Sequence, residues 1–359
     1  MKGRLMDNKT KTPTFDGQDF FIGIDVHLKR WKVTIRNNRM VLKTFSMDPK
    51  PPQLHSYMHK NYPNGNYFSV YESGFCGYWI HRQLEQAGIR NIVVNPGDVP
   101  TTHKEKEQKR DPIDSRKLAR ELEAASLKSI YIPSRKQQAL RSLSRLYFQN
   151  VGDRTRLKMR IKSFLHFQGC DLPRIDQMQH WSARFIHWLQ SITFDNPEDT
   201  YHLQQLIMTL EQKRQHCLQI LRYARQQLRE VSVIQYLRSV CGIGFIMAFS
   251  LYSELMDMKR FSNSDSLCAY IGLVPSVEAS GDKEKIKGLS KRHNKFLRKR
   301  LIEAAWVAVR NDPALTQYFA ALIKRMPKQK AIIRIAKKLL CRIRYVWLNE
   351  KTYVKGVIK

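Results

Sequence analysis

Four acidic residues from three separate segments have the residue types and positions of a metal-binding site. Asp25 lies inside the strand pattern FIGIDVH, and Glu72 closes the strand pattern FSVYES. Asp111 and Asp114 lie three residues apart where DPIDSRKLARELEAAS begins a helix, so they face the same side. Converging carboxylates repel one another unless a divalent cation binds, and Mg²⁺ prefers oxygen ligands. The sequence therefore predicts that these four residues bind Mg²⁺ or Mn²⁺ for attack on a phosphodiester. Taken singly, each has a structural alternative, such as a helix cap at Asp111.

A serine beside a glycine, Ser280, lies in the polar stretch PSVEASGDKEKIKGLSKRHNKFLRKR, which we interpret as a basic loop. A serine hydroxyl becomes a useful nucleophile only when its proton is removed or the phosphate is made more electrophilic. Metal-bound carboxylates could do this across a domain interface. As a lone loop serine, it would have no chemical role. The basic residues that we expect to hold a phosphate backbone are Lys283, Lys285, Lys291, Arg292, Lys295 and Arg298.

The segment SVCGIGFIMAFSLYSEL fits the helix-hairpin-helix pattern. Gly242 and Gly244 would let the backbone turn tightly and present amide groups to a phosphate at the N-terminus of the next helix. Such a motif holds the backbone of a nucleic acid without reading its sequence. A plain turn between two helices is the alternative, because two glycines at this spacing are common.

The charge balance points to a polyanionic partner. Lysine and arginine number 63 against 31 aspartates and glutamates, a formal net charge of +32. Such an excess is costly through self-repulsion unless a polyanion neutralises it, so a nucleic acid is the expected partner. The sequence has no run of eighteen apolar residues and no apolar N-terminal segment, so we expect no membrane contact and a cytoplasmic protein. The cysteines lack CxxC spacing, and His27, His103 and His293 lack the spacing of metal ligands.

The acidic residues must be positioned by a mixed α/β domain, which we place at residues 19–133 after a polar lead-in at 1–18. Two or three β-rich runs up to Met47 give the sheet an antiparallel start. After Met47, patterns typical of helix and strand alternate, as in α/β domains. The acidic pair then opens the last helix of this domain.

The remaining sequence is predicted to be mainly helical. Residues 134–230 carry two long amphipathic stretches that suggest an antiparallel hairpin or a coiled coil. Residues 231–311 form a small, mostly helical domain whose helices are joined by glycine-containing turns. Residues 312–359 give a basic amphipathic helix and tail. The predicted fold class is therefore α/β followed by α.

Three blocks of the sequence resemble the IS110-family transposases, also called IS110/IS116/IS902 transposases or DEDD recombinases. The blocks are FIGIDVHLKRWKVTI, KRDPIDSRKLAR and RFSNSDSLCAYIGLVPSVEASGDKEKIKGLSKRHNKFLRKRLIEAA. The resemblance runs from about Phe20 to Asn311. It implies a RuvC-like, RNase H-like N-terminal domain whose DEDD tetrad maps onto the four acidic residues. It also implies a C-terminal transposase domain in which Ser280 attacks DNA, forming a covalent phosphoserine intermediate in a composite site with the acidic domain.

The resemblance also implies partners. Members of the family use a structured noncoding RNA to choose donor and target DNA, and they work as multimers joined through the helical region. We therefore expect both DNAs, a guide RNA and a homo-oligomer, either a dimer or a tetramer. The chain departs from the family pattern at Ser115, where alanine is more common, at Ala279, which replaces a serine, and at His293, where glycine is usual.

Two other functions stay open as alternatives. A RuvC-type junction nuclease would hydrolyse DNA without a serine, and the basic block around Ser280 argues against it. A non-catalytic nucleic-acid-binding protein would act through charge and the helix-hairpin-helix alone. The four carboxylates argue against that function, because an acidic cluster weakens DNA binding unless metal is needed there. The favoured hypothesis is an RNA-guided DNA recombinase that carries out transposition of its own element.

Overall fold

The computed structural model of the chain describes residues 14–100, 111–280 and 283–355, and the side chains of 111, 112 and 277–287 also lie outside the described part. The chain divides into two compact units, Met1–Ile132 and Pro133–Lys359, here called the N-terminal and C-terminal units. Each unit has its own hydrophobic core. None of the helices in the described residues has the length and apolar character that crossing a bilayer requires.

A five-stranded mixed sheet forms the centre of the N-terminal unit, with the strand order β3-β2-β1-β4-β5. Strands β1 to β3 form an antiparallel meander, and β4 and β5 run parallel to β1. The antiparallel start is as predicted, and the mixed sheet is compatible with a RuvC-like domain. The strands are Asp19–Asp25 (β1), Trp31–Asn37 (β2), Met40–Met47 (β3), Asn66–Glu72 (β4) and Arg90–Val94 (β5).

Helices cover both faces of this sheet. The fully buried Ile22 and Ile24 of β1 pack in one core with Leu54 and Leu84 of the first two helices. On the other face, Leu118 of the third helix packs with β4. Because successive side chains of a strand point to opposite faces, every second residue faces the third helix. The helices are Pro51–Asn61 (α1), Trp79–Gln86 (α2) and Asp111–Glu123 (α3).

The C-terminal unit begins with a long antiparallel helical hairpin. Leu165, near the end of the first helix, shares a core with Leu203, near the start of its partner, whereas Leu140 shares a core with Ala224. The hairpin is therefore one of the two arrangements that the amphipathic pattern suggested. Its helices are Arg135–Phe167 (α4) and Pro197–Gln227 (α6), and the short helix between them is Ala183–Ser191 (α5).

The rest of the C-terminal unit is mostly helical, as predicted. Phe249, Leu301 and Leu339 come from three different helices and are fully buried in one core. The predicted basic helix at the C-terminal end therefore contributes its apolar face to this core. The elements are Ser232–Ser239 (α7), Phe245–Leu255 (α8), Ser264–Ile271 (α9), Pro275–Ser280 (β6), Lys283–Leu289 (β7), Lys295–Asn311 (α10), Pro313–Ile323 (α11) and Lys328–Leu348 (α12).

The predicted basic loop around Ser280 is instead an antiparallel β-hairpin formed by β6 and β7. Apolar and polar residues alternate in VEAS, a period of two that is typical of strands, whereas KEKIK carries a single apolar residue, Ile286. High charge density does not oppose such pairing, because the backbone forms the hydrogen bonds between strands. Our loop prediction was wrong because we gave composition more weight than this alternation.

A buried carboxylate ties α8 to α4 and α10. Glu254 is fully buried, and Arg145 donates to its two oxygens at 2.7 and 3.1 Å. Asn294 Nδ2 donates to the same carboxylate at 3.1 Å, while Asn294 Oδ1 caps the first turn of α10. Glu254 thus fixes the start of the helix that follows the β6-β7 hairpin.

Candidate active site

Two of the predicted carboxylates lie at the ends of neighbouring parallel strands. β1 ends at Asp25 and β4 ends at Glu72, and the register places these two ends side by side. Gly23 and Val70 face α3, and side chains two residues further along each strand point the same way. Asp25 and Glu72 therefore lie next to each other on the α3 side of the sheet.

A cleft of about 150 Å³ opens at these two strand ends. Asp25 and Glu72 line it, together with residues that follow them, including Cys76. Burial raises the pKa of the Cys76 thiol, so this thiol stays protonated at neutral pH and does not compete for a metal as a thiolate. The cleft therefore offers carboxylate oxygens, the ligands that Mg²⁺ and Mn²⁺ prefer.

His27 contacts one of these carboxylates. Its Nε2 atom lies 3.1 Å from Asp25 Oδ2, and half of the imidazole side chain is exposed. An imidazole in this position can orient the carboxylate. Sequence reasoning treated His27 as accessory or structural, and the structure places it against a predicted metal ligand.

Helix α3 approaches β1 closely because Gly23 has no side chain. A Cβ atom built on Gly23 would lie 2.1 Å from the carbonyl oxygen of Ser115 and 2.5 Å from the amide nitrogen of Ala119. Both of these are backbone atoms that cannot rotate away. The glycine in FIGIDVH therefore allows the first turns of α3, with Asp114, to lie against the strand that ends at Asp25.

Polar contacts with the sheet fix the position of α3 along its axis. The buried hydroxyls of Ser115 and Thr34 lie 2.9 Å apart, and Thr34 also contacts Thr44 at 3.1 Å. At the other end of α3, Arg36 Nε donates to Glu123 Oε2 at 2.7 Å. Ser115 thus contributes a buried hydrogen bond with a net value of about 1 kcal/mol.

Lys117 connects Asp114 to Glu72. Its Nζ atom lies 3.3 Å from Asp114 Oδ1 and 4.0 Å from Glu72 Oε1, and only 8% of its side chain is exposed. The ammonium therefore reduces the repulsion between the two carboxylates. Sequence reasoning missed Lys117, although its position three residues after Asp114 on a helix was an available signal.

The side chain of Asp111 lies outside the described residues, and only its backbone is placed, at the first residue of α3. Within 14–100, 111–280 and 283–355, no group of three or more His, Cys, Asp or Glu side chains is arranged to hold one metal ion. The described site thus consists of Asp25 and Glu72 in one cleft, with Asp114 joined to Glu72 through Lys117. The complete tetrad stays a prediction.

The predicted nucleophile lies in the C-terminal unit. Ser280 is the last residue of β6, and its register partner is Lys283, the first residue of β7. The side chains of Ser280, Lys283 and Lys285 lie outside the described residues. The structure therefore places the backbone of Ser280 near the tip of a β-hairpin, and its chemical role stays a prediction.

The basic residues after this hairpin differ in their contacts. Arg298 Nη1 donates to the carbonyl oxygens of Gly272 and Ser290, at 3.2 and 2.8 Å. These two residues flank the β6-β7 hairpin, so Arg298 closes its base, a structural contact that the sequence did not indicate. The predicted nucleic-acid-binding residues that are exposed here are Lys291, Arg292 and Lys295.

The two glycines of the predicted helix-hairpin-helix lie in the turn between α7 and α8. Gly242 has a φ of +85°, and a Cβ atom there would lie 2.5 Å from the carbonyl oxygen of Ala304 in α10. The exposed Gly244 precedes α8 without a side-chain cap. The first amides of α8 are therefore available to an acceptor such as a phosphate, and that contact stays a prediction.

Two family models match the chain. A DEDD transposase model of the IS110 type matches residues 22–168, and the model described as "Transposase IS116/IS110/IS902 family" matches residues 234–320. Together these segments span more than half of the chain. The first segment contains the four predicted carboxylates, and the second contains Ser280.

The curated relatives of the chain carry transposase names. "Putative transposase y4rJ" of Sinorhizobium fredii is 28% identical over 82% of this chain and 81% of its own length. The "Transposase for insertion sequence element IS1111A" of Coxiella burnetii is 26% identical over 79% of this chain and 78% of its own length. A further Sinorhizobium fredii protein, "Putative transposase y4qE", is 29% identical over 67% of this chain, and the match spans 58% of that relative.

Proposed function

Because the chain belongs to the IS116/IS110/IS902 family of transposases, which are enzymes acting on DNA, we propose that it cleaves and exchanges DNA strands through its four predicted carboxylates, with Ser280 as the nucleophile. The observation that carries this proposal is the placement of Asp25 and Glu72 in one cleft at adjacent ends of parallel strands. Neighbouring carboxylates repel each other, and a divalent cation bound between them offsets that repulsion.

The described carboxylates fit a hard divalent cation such as Mg²⁺ or Mn²⁺. Asp25 and Glu72 would bind it with their oxygens, and Asp111 and Asp114 would complete the ligand set from the first turn of α3. Bound there, the ion would make the phosphate more electrophilic and would stabilise the leaving oxygen. Lys117 supports the same site, because its ammonium limits the repulsion between Glu72 and Asp114.

The serine would then act on DNA brought to the acidic site. The hydroxyl of Ser280 loses its proton and its Oγ atom forms a bond to phosphorus, while the bond from phosphorus to one sugar oxygen breaks and the released oxygen takes up a proton. The product is a phosphoserine ester that conserves the energy of the phosphodiester for rejoining to a second strand. His27 is a candidate for moving the proton, since its imidazole contacts Asp25 and reaches solvent.

The partners follow from the charge and from the family. As a transposase, the chain acts on DNA. We propose in addition that it binds a structured noncoding RNA that selects donor and target DNA, and that it works as a homo-oligomer. The net charge of +32 supports simultaneous binding of more than one nucleic acid, because each polyanion releases counterions and relieves self-repulsion.

A pair of substitutions in the full chain tests the proposal. With a DNA carrying the element ends, copurified RNA and Mg²⁺, Asp25→Asn should abolish strand cleavage while DNA retention in a gel-shift assay stays within about twofold, because phosphate contacts dominate affinity. Ser280→Ala should abolish the covalent protein–DNA adduct that the wild-type chain leaves on a denaturing gel.

A matched control for the aspartate change is Asp48→Asn. Asp48 lies in the same unit, is 57% exposed and contacts only Lys50 among the ion pairs of the described residues, at 4.0 Å. It should behave as the wild-type chain in both assays. Normal recombination by both Asp25→Asn and Ser280→Ala would refute the enzyme mechanism, whereas hydrolysed ends from Ser280→Ala would favour a junction nuclease.

A further inference from the structure

A row of positive charges follows one face of α4. Arg154, Lys158 and Lys162 are spaced four residues apart, so successive side chains lie about 6 Å apart along the helix. Like charges at this spacing destabilise a helix. Burial, together with the neighbouring Arg154 and Lys162, lowers the pKa of Lys158. The row therefore favours the binding of an anion, which would reduce the repulsion among these three cations.

The row borders a cavity of about 420 Å³ among α4, α5 and α6. Ile186 and Leu210 give it an apolar wall, and Gln190 supplies an amide. Its volume lies within the range of about 300–1,000 Å³ that is typical of small-molecule sites. This volume is sufficient for a single nucleotide.

An aromatic ring, Trp181, forms another wall of this cavity. Lys158 Nζ lies 4.9 Å from the ring centroid, and the ring packs edge-on against Phe185 at 5.2 Å. Behind it, Lys162 donates to His180 Nδ1 at 3.1 Å, while His180 Nε2 donates to the carbonyl oxygen of Pro173 at 2.8 Å. The ring and its flanking cations are therefore held in place before any ligand binds.

The charges that face the cavity leave a positive excess. Arg154, Lys158 and Arg214 line it, and Glu211 supplies one carboxylate. Arg214 contacts Glu211 at 3.3 Å, and Gln215 donates to the same carboxylate at 2.7 Å, so this negative charge is already paired. The Nε atom of Arg154 is buried and has no hydrogen-bond partner among the described residues. No carboxylate among the described residues forms an ion pair with Arg154 or Lys158, so a phosphate at the cavity would neutralise their charge.

We propose that this cavity binds an unpaired nucleotide of a single-stranded nucleic acid, with the base against Trp181 and the phosphate on Arg154 and Lys158. Unstacked bases bind by stacking on aromatic side chains and by hydrogen bonds to their edges, which Gln190 can make. An acidic peptide would use the cations but would leave the ring and the apolar wall unused. The inference rests on the proposed function, because it assigns part of the nucleic acid to α4, α5 and α6.

A second cavity, of about 570 Å³, extends this surface. Gln190 and Glu211 line both cavities, and the second is otherwise rich in glutamine, including Gln204, Gln212 and Gln219. Amide side chains offer both donors and acceptors, so they can contact bases of any type. The second cavity is therefore suited to the nucleotide that follows the one at Trp181.

Binding of short fluorescent oligonucleotides to the full chain tests the inference. Single-stranded RNA and DNA of one sequence are titrated without divalent metal, so that affinity is measured apart from chemistry. Lys158→Gln and Trp181→Leu should each raise Kd about tenfold for one or both strands. Lys158→Gln should also reduce the slope of log Kd against log salt by about one. The matched control is Arg160→Gln, an exposed position on the same helix outside the cavity, with a change of about twofold at most.

Equal affinities for Lys158→Gln and Arg160→Gln would overturn the inference. A polyglutamate peptide is titrated in the same way, and a Lys158→Gln chain that loses affinity for this peptide but for neither oligonucleotide would also overturn it. If Trp181→Leu does not fold, Lys158→Gln alone decides, because Lys158 can be replaced without removing the Trp181–Phe185 contact. Asp25→Asn distinguishes the two proposals. If Asp25→Asn is active, the proposed mechanism is refuted while the binding result stands. If Asp25→Asn is inactive and Lys158→Gln binds the oligonucleotides with wild-type affinity, the proposed nucleotide site is refuted and the mechanism stands.

Discussion

Replacing Gly23 by alanine should separate α3 from β1 and disrupt the acidic site. The added Cβ atom would meet the carbonyl oxygen of Ser115 at 2.1 Å, whereas ordinary van der Waals contact begins near 3.4 Å. The helix must therefore retreat by about 1.3 Å at the residue next to Asp114. Overpacking of this kind costs about 1–3 kcal/mol in the free energy of unfolding, and a displacement of about 1 Å at reacting groups can lower a rate about a hundredfold.

Urea unfolding and DNA strand cleavage measure the two effects in the same Gly23→Ala preparation. We expect cleavage to fall about a hundredfold under conditions in which the variant is still folded, because α3 and its carboxylates shift together. DNA retention should stay within about twofold, since the residues predicted to hold the phosphate backbone lie in the C-terminal unit.

The matched control is Gly152→Ala in α4, the same chemical change at a position with room. The nearest atom to a Cβ atom there is Arg156 Nη1 at 3.8 Å, and alanine is favoured over glycine in a helix by about 1 kcal/mol. Gly152→Ala should therefore be neutral or stabilising. A Gly23→Ala chain with wild-type stability and cleavage would refute the link between the close approach of α3 and the site.

Three further predictions concern the C-terminal unit. Glu254→Gln should lower the free energy of unfolding by about 3 kcal/mol in urea titrations, because it removes the charge that Arg145 contacts in a fully buried position; a loss below about 0.5 kcal/mol would contradict this. Gly242→Ala should lower the free energy of unfolding by about 2–4 kcal/mol, measured by thermal unfolding, since it combines a positive φ with a Cβ contact of 2.5 Å to the backbone. An unchanged Tm would contradict the described conformation of this turn. Tyr353→Phe should cost about 1.5–3 kcal/mol, because the hydroxyl donates to the buried Asp312 at 2.8 Å. Burial, and then the hydrogen bond to Asp312, raises the pKa of Tyr353 to about 12, so this contribution is present below the unfolded pKa of about 10 and is lost as the pH rises through about 12. Equal stabilities of Tyr353→Phe and the wild-type chain at neutral pH would rule out a stabilising hydrogen bond from Tyr353 to Asp312.

Local patterns were sufficient for much of the architecture. The β-rich patterns FIGIDVH and FSVYES predicted β1 and β4, with Asp25 inside the first pattern and Glu72 at the end of the second, because strand propensity is a property of a few neighbouring residues. The long amphipathic stretches predicted α4 and α6 for the same reason. The same approach failed at Ser280, where charge density was taken to indicate a loop and the alternation in VEAS was overlooked.

What the sequence by itself determined is therefore the set of chemical groups, their local elements and the family to which they belong. Only the tertiary structure decided which groups meet. Lys117 lies between Asp114 and Glu72 because α3 crosses the sheet at Gly23, and Trp181 forms a cavity with Arg154 because α5 folds back onto α4. These contacts join residues that are distant in the chain. Their free energy depends on packing between segments, which the hydrophobic periodicity of a single segment does not determine.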